Sequence, residues 1–285
     1  TMINVHCICH RLALACADTG DDLLFVKDFE TTLLQLWTFF KNSPKRLKIY
    51  VKVAMNLGHF DALSKRKKKR LIKSVKRAVR TRWLSLHASV DSLFEEYVGM
   101  LHALRSMKDD QAVGGAIAVG FLKKMDSVKF LGVLYMLKYM LPHLSVLSKT
   151  FQTGSLNFSR IVPSIEKTKY KIQDLAKKRT HLEQLRLDIN GRLAACDISL
   201  SEEDEKLIET FGTRYAQAIS KNIDERFPKE ALDILDAFSV FNAELVPSDT
   251  NSNTFSIYGN REIEILQNYY FSGDEKKANA LASQR

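Results

Sequence analysis

The sequence predicts a mainly α-helical protein, and two observations carry that expectation. Glycine and proline together account for 17 of the 285 residues. That is about half the average share of roughly 12%, and so few chain breakers favour long helices over many short strands and tight turns. Apolar residues also recur every third or fourth position through several long stretches, the spacing of one buried helix face. A hydrophobic content of 45% supports a real core, and the length suits one large domain or two ordinary ones.

In chain order, Ile3 to Ala17 is apolar. Its first residues are expected to end a buried strand and the rest to form a buried helix. Asp18 to Asp22 reads as a polar break. From Leu23 to Phe40, the residues Val26, Phe29, Leu33, Leu36 and Phe40 mark a helix face, and Asn42-Ser43-Pro44 ends it, because the residue before a proline avoids the helical region. A second short helix precedes the run Lys65-Arg66-Lys67-Lys68-Lys69-Arg70, whose charge density predicts some loop. After Arg82-Trp83 a strong helix begins, with the stripe Leu86, Val90, Leu93, Tyr97, Leu101 and Leu104.

Gln111 to Gly120 reads as a turn and a tightly packed helix start. Val128 to Thr150 is expected to be a buried helix kinked at Pro142. Lys138, Pro142 and His143 argue against its spanning a membrane. Pro163 suits the first turn of another helix. Ile165, Ile172, Leu175, Leu182 and Ile189 keep heptad spacing, but Thr168, Arg179 and Arg186 stand in the seam, which favours an amphipathic helix on the core over a coiled coil. Asn190-Gly191 is expected to end that helix. Ser201-Glu202-Glu203-Asp204 reads as a capping box. Pro228 and Pro247-Ser248-Asp249 are breaks, and the tail from Asp274 is expected to fray.

Charge is concentrated. Residues 41–82 hold sixteen Lys or Arg against the single acid Asp61, a net +15. The whole chain is +10, which leaves −5 for the remainder. Such a block reads as an anion-facing surface with nucleic acid as partner, or as a solvated face plus a nuclear-import signal. Lys65, Arg66, Lys67, Lys68, Lys69 and Arg70 are the expected import signal. Lys45, Arg46, Lys73, Lys76, Arg77, Arg80 and Arg82 are candidate phosphate contacts. Trp83 is either a base-stacking residue or a core anchor.

Three of the four cysteines (Cys7, Cys9 and Cys16) crowd the start, with Cys196 apart. This is no disulfide framework, nothing resembles a signal peptide, and a reducing compartment is expected. Thr1 ahead of Met2 reads like a piece cut from a longer chain. His6-Cys7-Ile8-Cys9-His10 offers zinc-type donors, but no second pair follows at finger spacing. The simpler reading is a packed segment of small apolar cysteines. Asp18, Asp21, Asp22 and Asp28 lie close in sequence, as a two-metal nuclease would need. Helix capping explains them more simply. No phosphate loop, HExxH, GxSxG or kinase signature is present.

Together these pieces resemble the hAT transposase superfamily, especially host-domesticated proteins that join zinc fingers to a hAT-like region. Cys7-Ile8-Cys9-His10-Arg11-Leu12-Ala13-Leu14 looks like the family's CxxH segment, carried by Cys7 and His10. Thr81-Arg82-Trp83-Leu84 looks like its RW motif, carried by Arg82 and Trp83. Ser43-Pro44-Lys45-Arg46 sits between them. Lys129-Phe130-Leu131, Leu147 to Gln152 and Arg226-Phe227-Pro228 follow in a similar order.

The resemblance implies the helical insertion domain of a hAT-type transposase, with a remnant of an RNase H-like α/β core at the N-terminus. Residues 1–40 would be the end of the first core segment, 41–240 the insertion, and 241–285 a helix and tail leading to the second core segment. It further implies that the three metal-binding acids lie before and after this stretch, so no catalytic residue, metal or cofactor is expected here. For Trp83, beside Arg82, it implies contact with a flipped base at a transposon end or, without the acids, a packing role. The expectation is a nuclear protein with nonspecific DNA binding, able to contact protein partners or itself, and without a membrane or small-molecule substrate. The alternative is a helical protein-interaction scaffold whose basic run serves import only; an active nuclease is the third reading.

Overall fold

The computed structural model describes residues 8–56, 83–152, 158–196 and 198–271. Among them all regular structure is helical and no strand occurs. The expected strand falls on residues 3–7, which lie outside the described residues.

Helix α1 (Ile8–Asp22) buries Ile8, Leu12, Ala15, Cys16 and Thr19. The Asp18–Asp22 stretch, expected to be a break, forms its last turns. A single extended residue, Leu23, separates it from α2 (Leu24–Lys41), which buries the full predicted stripe and adds Phe25 and Phe39. Helix α3 (Pro44–Asn56) starts at the proline and buries only Tyr50 and Ala54. Helix α4 (Trp83–Met107) buries its whole predicted stripe. A 3₁₀ turn at Gln111–Val113 ends at Gly114, whose φ of 82° favours glycine. It leads into α5 (Gly115–Met125).

Helix α6 (Val128–Phe151) is capped by Ser127, whose Oγ accepts the Phe130 N–H, and it continues through Pro142. By length and composition it passes for a membrane span, yet most of that stretch is buried in the bundle. Helices α1, α2, α4, α5, α7 (Ile161–Lys177), α8 (Thr180–Ile189) and α9 (Glu202–Arg226) all contact it. The capping box of α9 forms as predicted: the Asp204 N–H donates to Ser201 Oγ at 3.1 Å, and the Ser201 N–H donates to the Asp204 carboxylate at 3.0 Å.

The expected single helix from Ile165 to Ile189 is two. Arg179 adopts φ 54°, which ends α7 and turns α8 onto α6. Ile165 and Ile172 are buried on α7 and Leu182 on α8, and both helices pack on α6. Beyond α9, α10 (Lys229–Ala237), α11 (Asn253–Ser256) and α12 (Asn260–Phe271) form a thinner unit. There α10 packs on α12 and leans on α7, and few side chains are buried.

Polar groups fix the bundle's register. The Tyr97 hydroxyl donates to the Met125 carbonyl, joining α4 to α5. Arg192 lies 3.9 Å over the Phe94 ring, donates to the Phe94 carbonyl, and pairs with Asp188, which also accepts from Tyr135. Burial alone would raise the Asp188 carboxyl, but hydrogen bonds from Tyr135, Arg192 and Gln184 hold it below the usual range.

Between α8 and α9, His181 is buried, with Nε2 3.0 Å from the Ile208 carbonyl and no partner on Nδ1. Its ring fills the space where residue 212 would carry a Cβ, which would stand 2.9 Å from Nε2. Gly212→Ala should therefore cost about 1–3 kcal/mol through overpacking, read as a lower urea midpoint. Burial lowers the His181 pKa, against the opposing pull of Ile208 and Glu209. The unfolded chain protonates near pH 6.5 and the fold resists. The stability held in the neutral ring is thus complete above about pH 6.5 and is lost as pH falls through the lowered folded value. Melting temperatures should fall from about pH 7.5 to about pH 5, with a shallower slope in His181→Gln. An equal slope in that variant would assign the effect elsewhere.

Candidate nucleic-acid interface

The described part of the basic block is the corner where α2 meets α3. Lys45, Lys48 and Lys52 recur at helical spacing on an exposed side of α3, away from Tyr50, which donates to Glu96 on α4. At the end of α2, the Lys41 ammonium lies 4.5 Å from the Trp37 ring centroid.

Arg46 behaves differently from the neighbours it was grouped with. Its Nε donates to the Val113 carbonyl at 2.6 Å and its Nη1 to the Phe39 carbonyl at 3.0 Å, and its guanidinium stacks 4.1 Å over the Phe39 ring. Gly114 leaves room for it: a Cβ there would sit 3.0 Å from Nη2. Arg46 thus satisfies carbonyls at two helix ends. It is a bracket between α2, α3 and the 111–113 turn, with its guanidinium engaged by Val113 and Phe39.

Lys65 to Arg70, Lys73, Lys76, Arg77, Arg80 and Arg82 lie outside the described residues, as does Cys7. Trp83 is the first residue of α4. His10 is exposed in the first turn of α1, Cys9 is half-buried, and Cys16 is buried. Burial raises the Cys16 thiol well above its ordinary value, helped by Glu30 and Asp18, which leaves it a packing group and not a nucleophile. Among the described residues no three His, Cys, Asp or Glu side chains come together as a metal site.

The early acids have structural partners that sequence reading missed. Asp18 accepts from Arg226 Nε at 2.8 Å and Nη2 at 2.7 Å. Asn222 Nδ2 donates to Thr19 Oγ1 and to Asp22, each at 3.0 Å. Asp21 pairs with Lys27 at 3.2 Å. The Asp18–Arg226 and Asn222 contacts stitch α1 to α9 across some two hundred residues of sequence, while Asp21–Lys27 ties α1 to α2. Nothing local in either segment signals the other, although Arg226 stands in the Arg226-Phe227-Pro228 motif.

Ser145, His87 and Asp91 form a row with the spacing of a nucleophile, base and acid. Ser145 Oγ is 2.8 Å from His87 Nδ1, and His87 Nε2 is 3.2 Å from Asp91. Ser145 is only 3% exposed, on the packed side of α6, so no substrate carbonyl can reach it. Asp91 is shared with Lys138 at 3.1 Å. The row ties α4 to α6.

A cleft of about 360 Å³ opens beside the start of α6, with Phe25, Phe29, Phe130 and Val133 among its walls and Asp28, Lys124 and Lys129 also lining it.

The class so defined is an α-helical bundle with an outward row of lysines at one corner. No family model, curated protein or solved structure matches the chain.

Removing the Arg46 bracket leaves carbonyls without their charged donor. Arg46→Met should therefore cost about 1.5–3 kcal/mol of stability, measured by urea unfolding. A Lys48→Gln, Lys52→Gln pair should leave stability within about 0.5 kcal/mol while weakening duplex binding.

Proposed function

We propose that this chain is a catalytically incomplete, nuclear module of hAT-transposase descent that binds nucleic acid nonspecifically through residues 41–82. In this reading residues 1–40 descend from the end of an RNase H-like core, 41–240 from the helical insertion, and 241–285 from the lead-in to the second core segment. The observation that carries it is charge segregation. A net +15 is packed into 41–82 of a chain whose remainder is −5, and the lysines of α3 face outward from a side that the core does not use. Lysine and arginine so placed displace counterions from phosphates without reading bases. Further support comes from the wholly helical architecture of the described residues and from the pairing of Asp18 and Asp22 with α9.

The second reading, a protein-interaction scaffold whose basic run serves import, is favoured by the exposed apolar side chains of residues 241–257.

Affinity for a labelled random-sequence duplex should fall steeply with salt. A protein making about six phosphate contacts loses roughly a thousand-fold between about 50 and about 200 mM. Fluorescence anisotropy across that range tests this, and a flat salt response or no binding at low salt overturns it. Charge reversal at Lys67, Lys68, Lys69 and Arg70 separates the readings. Loss of both import and affinity supports the first; loss of import alone supports the scaffold.

A further inference from the structure

We propose that the end of the α10–α12 unit which joins those two helices is a docking surface for a basic, amphipathic peptide segment of another protein. Two stretches meet there. The Tyr258 hydroxyl donates to the Val240 carbonyl at 3.1 Å, and Gly259, at φ 78°, leaves space that Val240 Cγ2 fills. Residues 240–246 and 255–259 are thereby brought together. They turn large apolar side chains to solvent: Phe241 is 76% exposed and Ile257 60%, with Leu245, Val246 and Phe255 also exposed. One such residue on a surface is ordinary, but five in neighbouring stretches of one small unit mark an interaction site.

Charge selects the occupant. Residues 229–271 hold seven acids against Lys229 and Arg261, a net −5 in a chain of +10. Asp236, at the end of α10, and Glu262, in the first turn of α12, flank the connection that carries Glu244. Among the described residues none of these three forms an ion pair with a basic side chain. Carboxylates around an apolar patch repel phosphates, which disfavours nucleic acid and anionic lipid alike. They match a segment that inserts leucine-like side chains beside Phe241 and Ile257 and sets lysine or arginine against the rim. The surface is built from residues outside the cationic block, and its test uses a peptide and not DNA.

The probe is a fluorescein-labelled peptide of about 18 residues with leucine at i, i+3, i+4 and i+7 spacing and lysine elsewhere. It is titrated with the whole chain and read by anisotropy. Binding is expected to weaken with salt, to drop about ten-fold in Phe241→Asp/Ile257→Asp, and to drop similarly in Asp236→Lys/Glu244→Lys/Glu262→Lys. The glutamate counterpart of the peptide should not bind. The altered side chains are solvent-facing or half-exposed, and unchanged circular dichroism and Tm would confirm folding. Undiminished affinity in either folded variant, or equal binding of the glutamate peptide, overturns the proposal. So does sedimentation showing that the chain self-associates through Phe241 and Ile257, since the occupant would then be a second copy.

Discussion

Helix α6 must be covered over most of its surface, and the rest of the bundle follows from that requirement. Residues 130–137 are all buried, as are most of the apolar residues after them. A helix apolar all round cannot face water, so its neighbours must each bring an apolar stripe to it. Helices α4, α7, α8 and α9 do so most fully, and α1, α2 and α5 complete the cover. At Gly132 α9 comes close, because Ile208 occupies the space of a side chain there. Even Lys138 is half-covered: its ammonium lies 4.8 Å from the Phe94 ring centroid and reaches Asp91 and Glu95.

Cations divide into two populations with different work. Arg46, Arg192 and Arg226 turn inward or along helix seams and spend their fixed forks on backbone carbonyls, aromatic faces and carboxylates. Planar guanidinium suits such multidentate roles. The lysines of α3 turn outward. Net charge alone hides this division, since Arg46 and Lys45 are adjacent in sequence yet lie on different sides of α3.

The same contrast organises the functional reading. One end of the chain's charge distribution is a cationic block suited to phosphate, and the other is an acidic, apolar-tipped unit suited to a basic peptide. Segregated charges of this kind give a protein two surfaces with different tastes. In the proposed reading, a nucleic acid and a protein segment would each have a site of their own.

The local pattern of the sequence determined the helical class, the stripes of α2 and α4, the capping box at Ser201 and the cationic block, because each depends on spacing within a turn or two. It could not show that α1 runs on through Asp18–Asp22. Those acids look like a break until Arg226 and Asn222 arrive from two hundred residues away to pair with them. Nor could it show the bend at Arg179: the heptad spacing continues across it, and only the need to lay α8 on α6 reveals the left-handed residue. Arg46, grouped by composition with its basic neighbours, was assigned by tertiary structure to the Val113 and Phe39 carbonyls. Periodicity says which side of a helix is apolar, but which partner covers it, and which charges are thereby drawn inward, is decided only when distant segments compete for the same buried space.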